Sequence, residues 1–124
     1  MGTHAQALLE FDYPALSVFN ASFTSIRNQD SSASSPPPTE VLDIASSALS
    51  QKEQGSLMLM PDGSAADPAA VAVAVLLANY TATSEQDRAS YGQAADDEIE
   101  YLLQVAPRSE AGAISHRAEQ VQLW

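Results

Sequence analysis

Apolar side chains recur at helical rather than strand intervals along most of this chain. Over residues 3–10, Ala5, Leu8 and Leu9 fall on one face, and Thr3 can cap the start. Tyr13-Pro14 ends that run, because proline disfavours helical geometry in the residue before it. The mixed stretch 15–23 reads as a loop packed by Leu16, Val18, Phe19 and Phe23. Val41, Leu42, Ala45, Ala48 and Leu49 form a second stripe, which predicts a helix over 40–52 with Thr39 as N-cap and Glu40 in its first turn. Residues 56–64 are extended and turn at Pro61-Asp62-Gly63.

A third helix starts at Asp67 as N-cap with Pro68 at the first helical position. The alternation of Val71, Val73 and Val75 also fits a buried strand; the length of the run and its start signal favour helix. Ser84 with Asp87 three residues on resembles a capping box. Tyr91, Ala95, Glu98 or Ile99, Leu102 and Val105 or Ala106 then repeat at helical spacing until Pro107. Asp96, Asp97, Glu98 and Glu100 in that helix are expected to be a solvated face rather than a metal site. "PRSEAGA" is a loop, and Arg117 is expected to begin another helix. The pattern is all-α: four helices and the start of a fifth, built as helical hairpins in a single domain over 1–124. A Ser/Pro-rich segment, 27–38, has too few apolar side chains to offset its ordering entropy and is expected to be a mobile linker.

Composition narrows the partners. Apolar residues make up 45% of the chain but aromatics only 6%, so the core should be light and alanine-rich. The net charge of −11, with five basic residues, makes nucleic acid and anionic membrane poor partners. The absence of cysteine excludes disulfides and thiolate metal sites. The longest apolar run, 69–78, is too short to span a bilayer. Met1-Gly2-Thr3-His4 lacks the character of a signal peptide, and Gln6 stands where myristoylation wants Ser or Thr. Asn20 and Asn79 begin glycosylation sequons, which matter if the protein is secreted.

Candidate chemistry is sparse. Asp67 is either a helix cap or a carboxylate at a cleft rim. His116 and Arg117 could hydrogen-bond sugar hydroxyls, or simply decorate a loop. Gln122 adds an amide, and Trp124, the single tryptophan, could stack on a sugar ring or anchor a core. No nucleotide loop, zinc motif or EF-hand loop is present, and no cofactor is implied.

Four stretches carry a resemblance: "THAQALLEFDYPALSVF", "LMPDGSAADPAAVAVAVLLANYT", "YGQAADDEIEYLLQVAPRSEAGAISHR" and "QVQLW". Together they resemble the N-terminal part of fungal six-hairpin glycosidase-like proteins, related to the unsaturated glucuronyl and rhamnogalacturonyl hydrolases of glycoside hydrolase families 88 and 105. The resemblance implies an (α/α)6 barrel, of which this chain would hold a partial set of about four to five helices. It implies hydrolysis of unsaturated uronyl sugars by hydration of a vinyl ether, with an aspartate as general acid. Asp67 matches the family's first active-site aspartate and His116 the histidine of a loop. The principal acid of the family lies just past the Gln-x-x-Trp segment, and this chain stops at Trp124, so it is expected to be a truncated form, inactive alone. The parent family is often secreted. The alternative expectation is an acidic helical structural or interaction protein. Either way, a partial barrel leaves apolar faces that a homodimer or larger homo-oligomer would cover.

Overall fold

The computed structural model describes residues 2–14, 17, 19, 38–60 and 64–117. Among them the chain forms four α-helices: α1 (Gly2–Asp12), α2 (Thr39–Gln51), α3 (Ala66–Thr81) and α4 (Glu85–Glu100). A π-helical turn, Tyr101–Val105, continues α4. The fold is all-α, with α3 and α4 joined by a short link into a helical hairpin.

Each helix begins or ends for a local reason, though not always the one its sequence suggests. Helix α1 stops just before Tyr13-Pro14, as expected, but Thr3 lies inside it rather than capping it. At α2 the Pro38 carbonyl accepts the amides of Val41 and Leu42 at 3.0 and 3.1 Å. The Thr39 hydroxyl donates instead to Glu40 Oε2 at 3.3 Å, so Thr39 is not the cap. Pro38 is buried and starts the helix; the rest of the Ser/Pro segment, 27–37, lies outside the described residues. The valine run of α3 is helical: Val71 and Val75 are buried on one side while Val73 is exposed. Helix α4 opens as its spacing predicts, with Ser84 Oγ accepting the Asp87 amide at 3.1 Å.

The end of α4 is held by the loop that follows it. Arg108 donates to Leu102 O at 2.7 Å and to Gly112 O at 3.0 Å, tying the last carbonyls of the π turn to the loop. An antiparallel bridge joins Arg108 to Ile114, and Gly112 supplies the positive φ of 86° that lets the loop reverse. The expected "PRSEAGA" loop is therefore present and closed on itself.

Helix α3 is the centre of the molecule and packs against α1, α2 and α4. Small side chains allow this. Ala45, Ala48, Ala72, Ala78, Ala94 and Ala95 form the main cluster with Leu59, Val71, Val75 and Tyr91. A second cluster joins Ala5 and Leu9 of α1 to Val41, Ala74 and Leu77. At Gly92 the α3–α4 approach is tight, because an added Cβ would lie 3.1 Å from Asn79 Nδ2. That amide donates to Arg88 O at 2.7 Å, so the sequon asparagine Asn79 serves the helix–helix contact. Asn20 lies outside the described residues.

Not every apolar residue finds cover. Phe19 is 78% exposed rather than packing its loop; Leu16, Val18 and Phe23 fall outside the described residues. Phe11, Leu76, Ile99, Leu103 and Val105 are also exposed. Among the described residues, no helix is long and apolar enough to cross a membrane.

Candidate functional site

Three of the candidate residues meet at one serine. Ser64 is fully buried just before α3. Its Oγ accepts the Asp67 amide at 3.1 Å and lies 3.5 Å from His116 Nδ1. The Ala65 amide donates to His116 O at 2.8 Å, and Ser64 pairs with Arg117 in an antiparallel bridge. Asp67, His116 and Arg117, distant in sequence, are thus each one bonded or bridged step from Ser64. Asp67 and His116 are exposed and Arg117 is partly so.

One expectation changes here. Asp67 is not the N-cap: Ser64 supplies the side-chain oxygen, and Asp67 sits in the first turn of α3, where its charge suits the helix dipole. Arg117 itself lies in the bridge to Ser64, with its carbonyl accepting from Ser115 Oγ at 2.7 Å, and the helix expected from there onward falls outside the described residues. Gln122 and Trp124 lie outside the described residues. The Ser64–His116 contact invites a nucleophile reading, but a serine with no exposed surface cannot meet a substrate.

A second polar cluster joins α2, α4 and the segment after α2. Glu98 is fully buried, and its Oε2 accepts the Leu59 amide at 2.8 Å. Lys52 pairs with Asp97 at 3.0 Å and also donates to Ser56 O. Gln93 Nε2 donates to Asp97 Oδ1 at 2.8 Å. Burial pushes the Asp97 carboxyl up, but the Gln93 hydrogen bond and the Lys52 contact outweigh it and hold it below the usual carboxylate value. The acidic run of α4 is therefore not one solvated face. Asp96 and Glu100 are exposed, Asp97 is ion-paired and Glu98 is in the core.

A shallow groove of about 520 Å³ lies over this second cluster, lined among others by Leu49, Lys52, Gln54, Gln93 and Asp97. Asp67, His116 and Arg117 are not part of it, so concavity and the sequence candidates do not coincide. Among the described residues no three His, Asp or Glu side chains come together as a metal-binding group.

Reading the residues alone misses Ser64, Glu98 and the Lys52–Asp97 pair. Two of them leave a trace. Ser64-x-x-Asp67 has the same spacing as Ser84-x-x-Asp87, and Glu98 falls on the Tyr91–Ala95–Leu102 stripe. Nothing local marks Lys52, whose partner is 45 positions away. No family model, curated protein or solved structure matches this chain.

Proposed function

We propose that this chain is a helical-hairpin carbohydrate-recognition unit of the six-hairpin glycosidase kind, which holds a uronyl sugar without turning it over. The observation that carries the reading is that the main chains of Asp67 and Arg117 and the imidazole of His116 each lie one bonded or bridged step from Ser64, at one end of the α3–α4 hairpin. A carboxylate, an imidazole and a guanidinium offer acceptors and donors for hydroxyls, and the guanidinium suits a sugar carboxylate. Turnover is not expected, because delivering a proton to a vinyl ether needs an acid enclosed with its substrate, and Asp67 faces solvent.

Titrating an unsaturated uronyl disaccharide into isotope-labelled protein tests this. Amide shifts should centre on Ser64, Asp67 and His116 and vanish in Asp67→Asn and His116→Ala, while the double-bond absorbance stays constant. Absorbance lost in an Asp67-dependent manner would make the chain a hydrolase. No shift at high sugar concentration would sink the carbohydrate reading altogether.

The second reading is an acidic helical interaction protein. It is favoured by the exposure of Val73, Leu76, Ile99 and Leu103 on adjoining helices. Light scattering across a concentration series separates self-association from a role that needs a different protein as partner.

A further inference from the structure

Helix α3 touches three neighbours, but they do not surround it. α2 packs against both α1 and α4, whereas α1 and α4 hardly meet. Among the described residues, one side of α3 is therefore open, between α1 and α4. Val73 and Leu76 lie on that side, 39% and 46% exposed, while Ala74, Val75 and Ala78 on the closed sides are wholly buried. On α4, Asp97 faces Lys52 of the α2 side. Ile99, two residues on, points about 200° away from Asp97, and Leu103 follows it one turn later. Ile99 and Leu103 are 45% and 63% exposed and so extend the open side of α3 onto α4. Asp96 and Glu100, both exposed and spaced one turn apart, border this apolar strip on its solvent edge.

We propose that this open face of α3, with Ile99 and Leu103, docks an amphipathic helix of basic character from another protein. The strip offers what a helix-in-groove partner needs: exposed apolar positions on two adjoining helices, Val73 and Leu76 on α3 and Ile99 and Leu103 along α4 and its π turn. Charge selects the partner. The chain carries sixteen acidic and five basic residues, and the edge of the strip is acidic. A second copy would bring another net charge of −11 against the first, whereas lysines and arginines flanking a partner's apolar face would meet Asp96 and Glu100. The face is distinct from the carbohydrate site proposed at Ser64, and its failure would leave that reading untouched.

The probe is a fluorescein-labelled helical peptide of about 18 residues with leucines at helical spacing and lysines elsewhere. It should give a saturable rise in anisotropy, weakened by salt. The same peptide with glutamates for lysines should bind about tenfold more weakly or worse. Leu76→Ser and Ile99→Ser should each weaken the basic peptide about tenfold while leaving the circular dichroism unchanged, since both side chains are already exposed. Should either apolar variant unfold, the double variant Asp96→Lys with Glu100→Lys replaces it and should shift the preference toward the acidic peptide. Equal binding of the two peptides, no binding of the basic one, or binding unaffected by Leu76→Ser and Ile99→Ser would overturn the proposal. So would sedimentation showing a dimer that Leu76→Ser disperses, which would make a second copy the occupant.

Discussion

At each end of the α3–α4 hairpin a serine hydroxyl accepts the amide three residues on, at the N-cap of α4 and one residue before the N-cap of α3, in opposite surroundings. At the link end, Ser84 Oγ accepts the Asp87 amide at 3.1 Å; at the far end, Ser64 Oγ accepts the Asp67 amide at 3.1 Å. Ser84 is exposed, and its neighbours are local: Asn79 reaches Arg88 nine positions away, and Arg88 Nε donates to Ala82 O at 2.6 Å. Ser64 is fully buried, and its end is tied together over long stretches of chain, with His116 52 positions from Ser64 and Glu98 39 from Leu59. The difference teaches that a cap sets where a helix starts, while the contacts around the cap decide whether that start is also a place where distant residues meet. A buried polar group that loses its partner costs more than an exposed one, because water cannot replace the bond.

Substitutions at the two ends should therefore differ in cost. The largest effect is expected at Glu98, where Glu98→Ala strands the buried Leu59 amide and should lower unfolding stability by about 3 kcal/mol. Glu98→Gln keeps an acceptor and should lose less; equal losses in urea melts would mean that the hydrogen bond is not what Glu98 contributes. Next, Ser64→Ala should cost about 2 kcal/mol, against about 1 kcal/mol for Ser84→Ala, the excess reflecting burial. Matching losses in the two alanine variants would erase the contrast between the ends.

The smallest effect concerns Lys52. Lys52→Met removes the ion pair with Asp97 and should cost less than about 1 kcal/mol near neutral pH. The folded Asp97 carboxyl lies below its ordinary value of 3.8, so its contribution is present above that value and disappears as pH falls through the lowered one. In Lys52→Met, Asp97 should titrate closer to 3.8 by carbon-detected NMR, and the stability difference between wild type and variant should shrink below about pH 4. An unchanged Asp97 titration would assign its lowering to Gln93 alone.

The contrast between the ends also marks what the sequence can disclose. Helical stripes, the Pro14 and Pro107 stops, the Ser84 cap and the alanine-rich core were legible because each depends on residues a few positions apart. Proline before α2 was harder, since nothing in "PPPT" distinguishes a buried capping carbonyl from the end of a linker. Asp67 looked like a cap because Pro68 follows it, yet the bond comes from three residues earlier, a spacing shared with Ser84. Glu98 shares its chemistry with the acidic neighbours but its stripe position points inward, and periodicity is the better guide to its burial. The meeting of His116 with Ser64 could not be seen at all, because it depends on how the π turn and the Arg108 loop bring the chain back.

That π turn has a consequence for how this molecule can vary. Five residues from Tyr101 to Val105 complete a wider coil than an α-helix would, in effect accommodating one residue more than the ladder requires. Shortening the chain there by a single position would restore ordinary winding and swing everything downstream through about 100°. Arg108 would lose its carbonyls and His116 would leave Ser64, although no side chain of either pair had been altered. Length at this one place, more than side-chain identity, sets where the Arg108 loop and His116 come to lie.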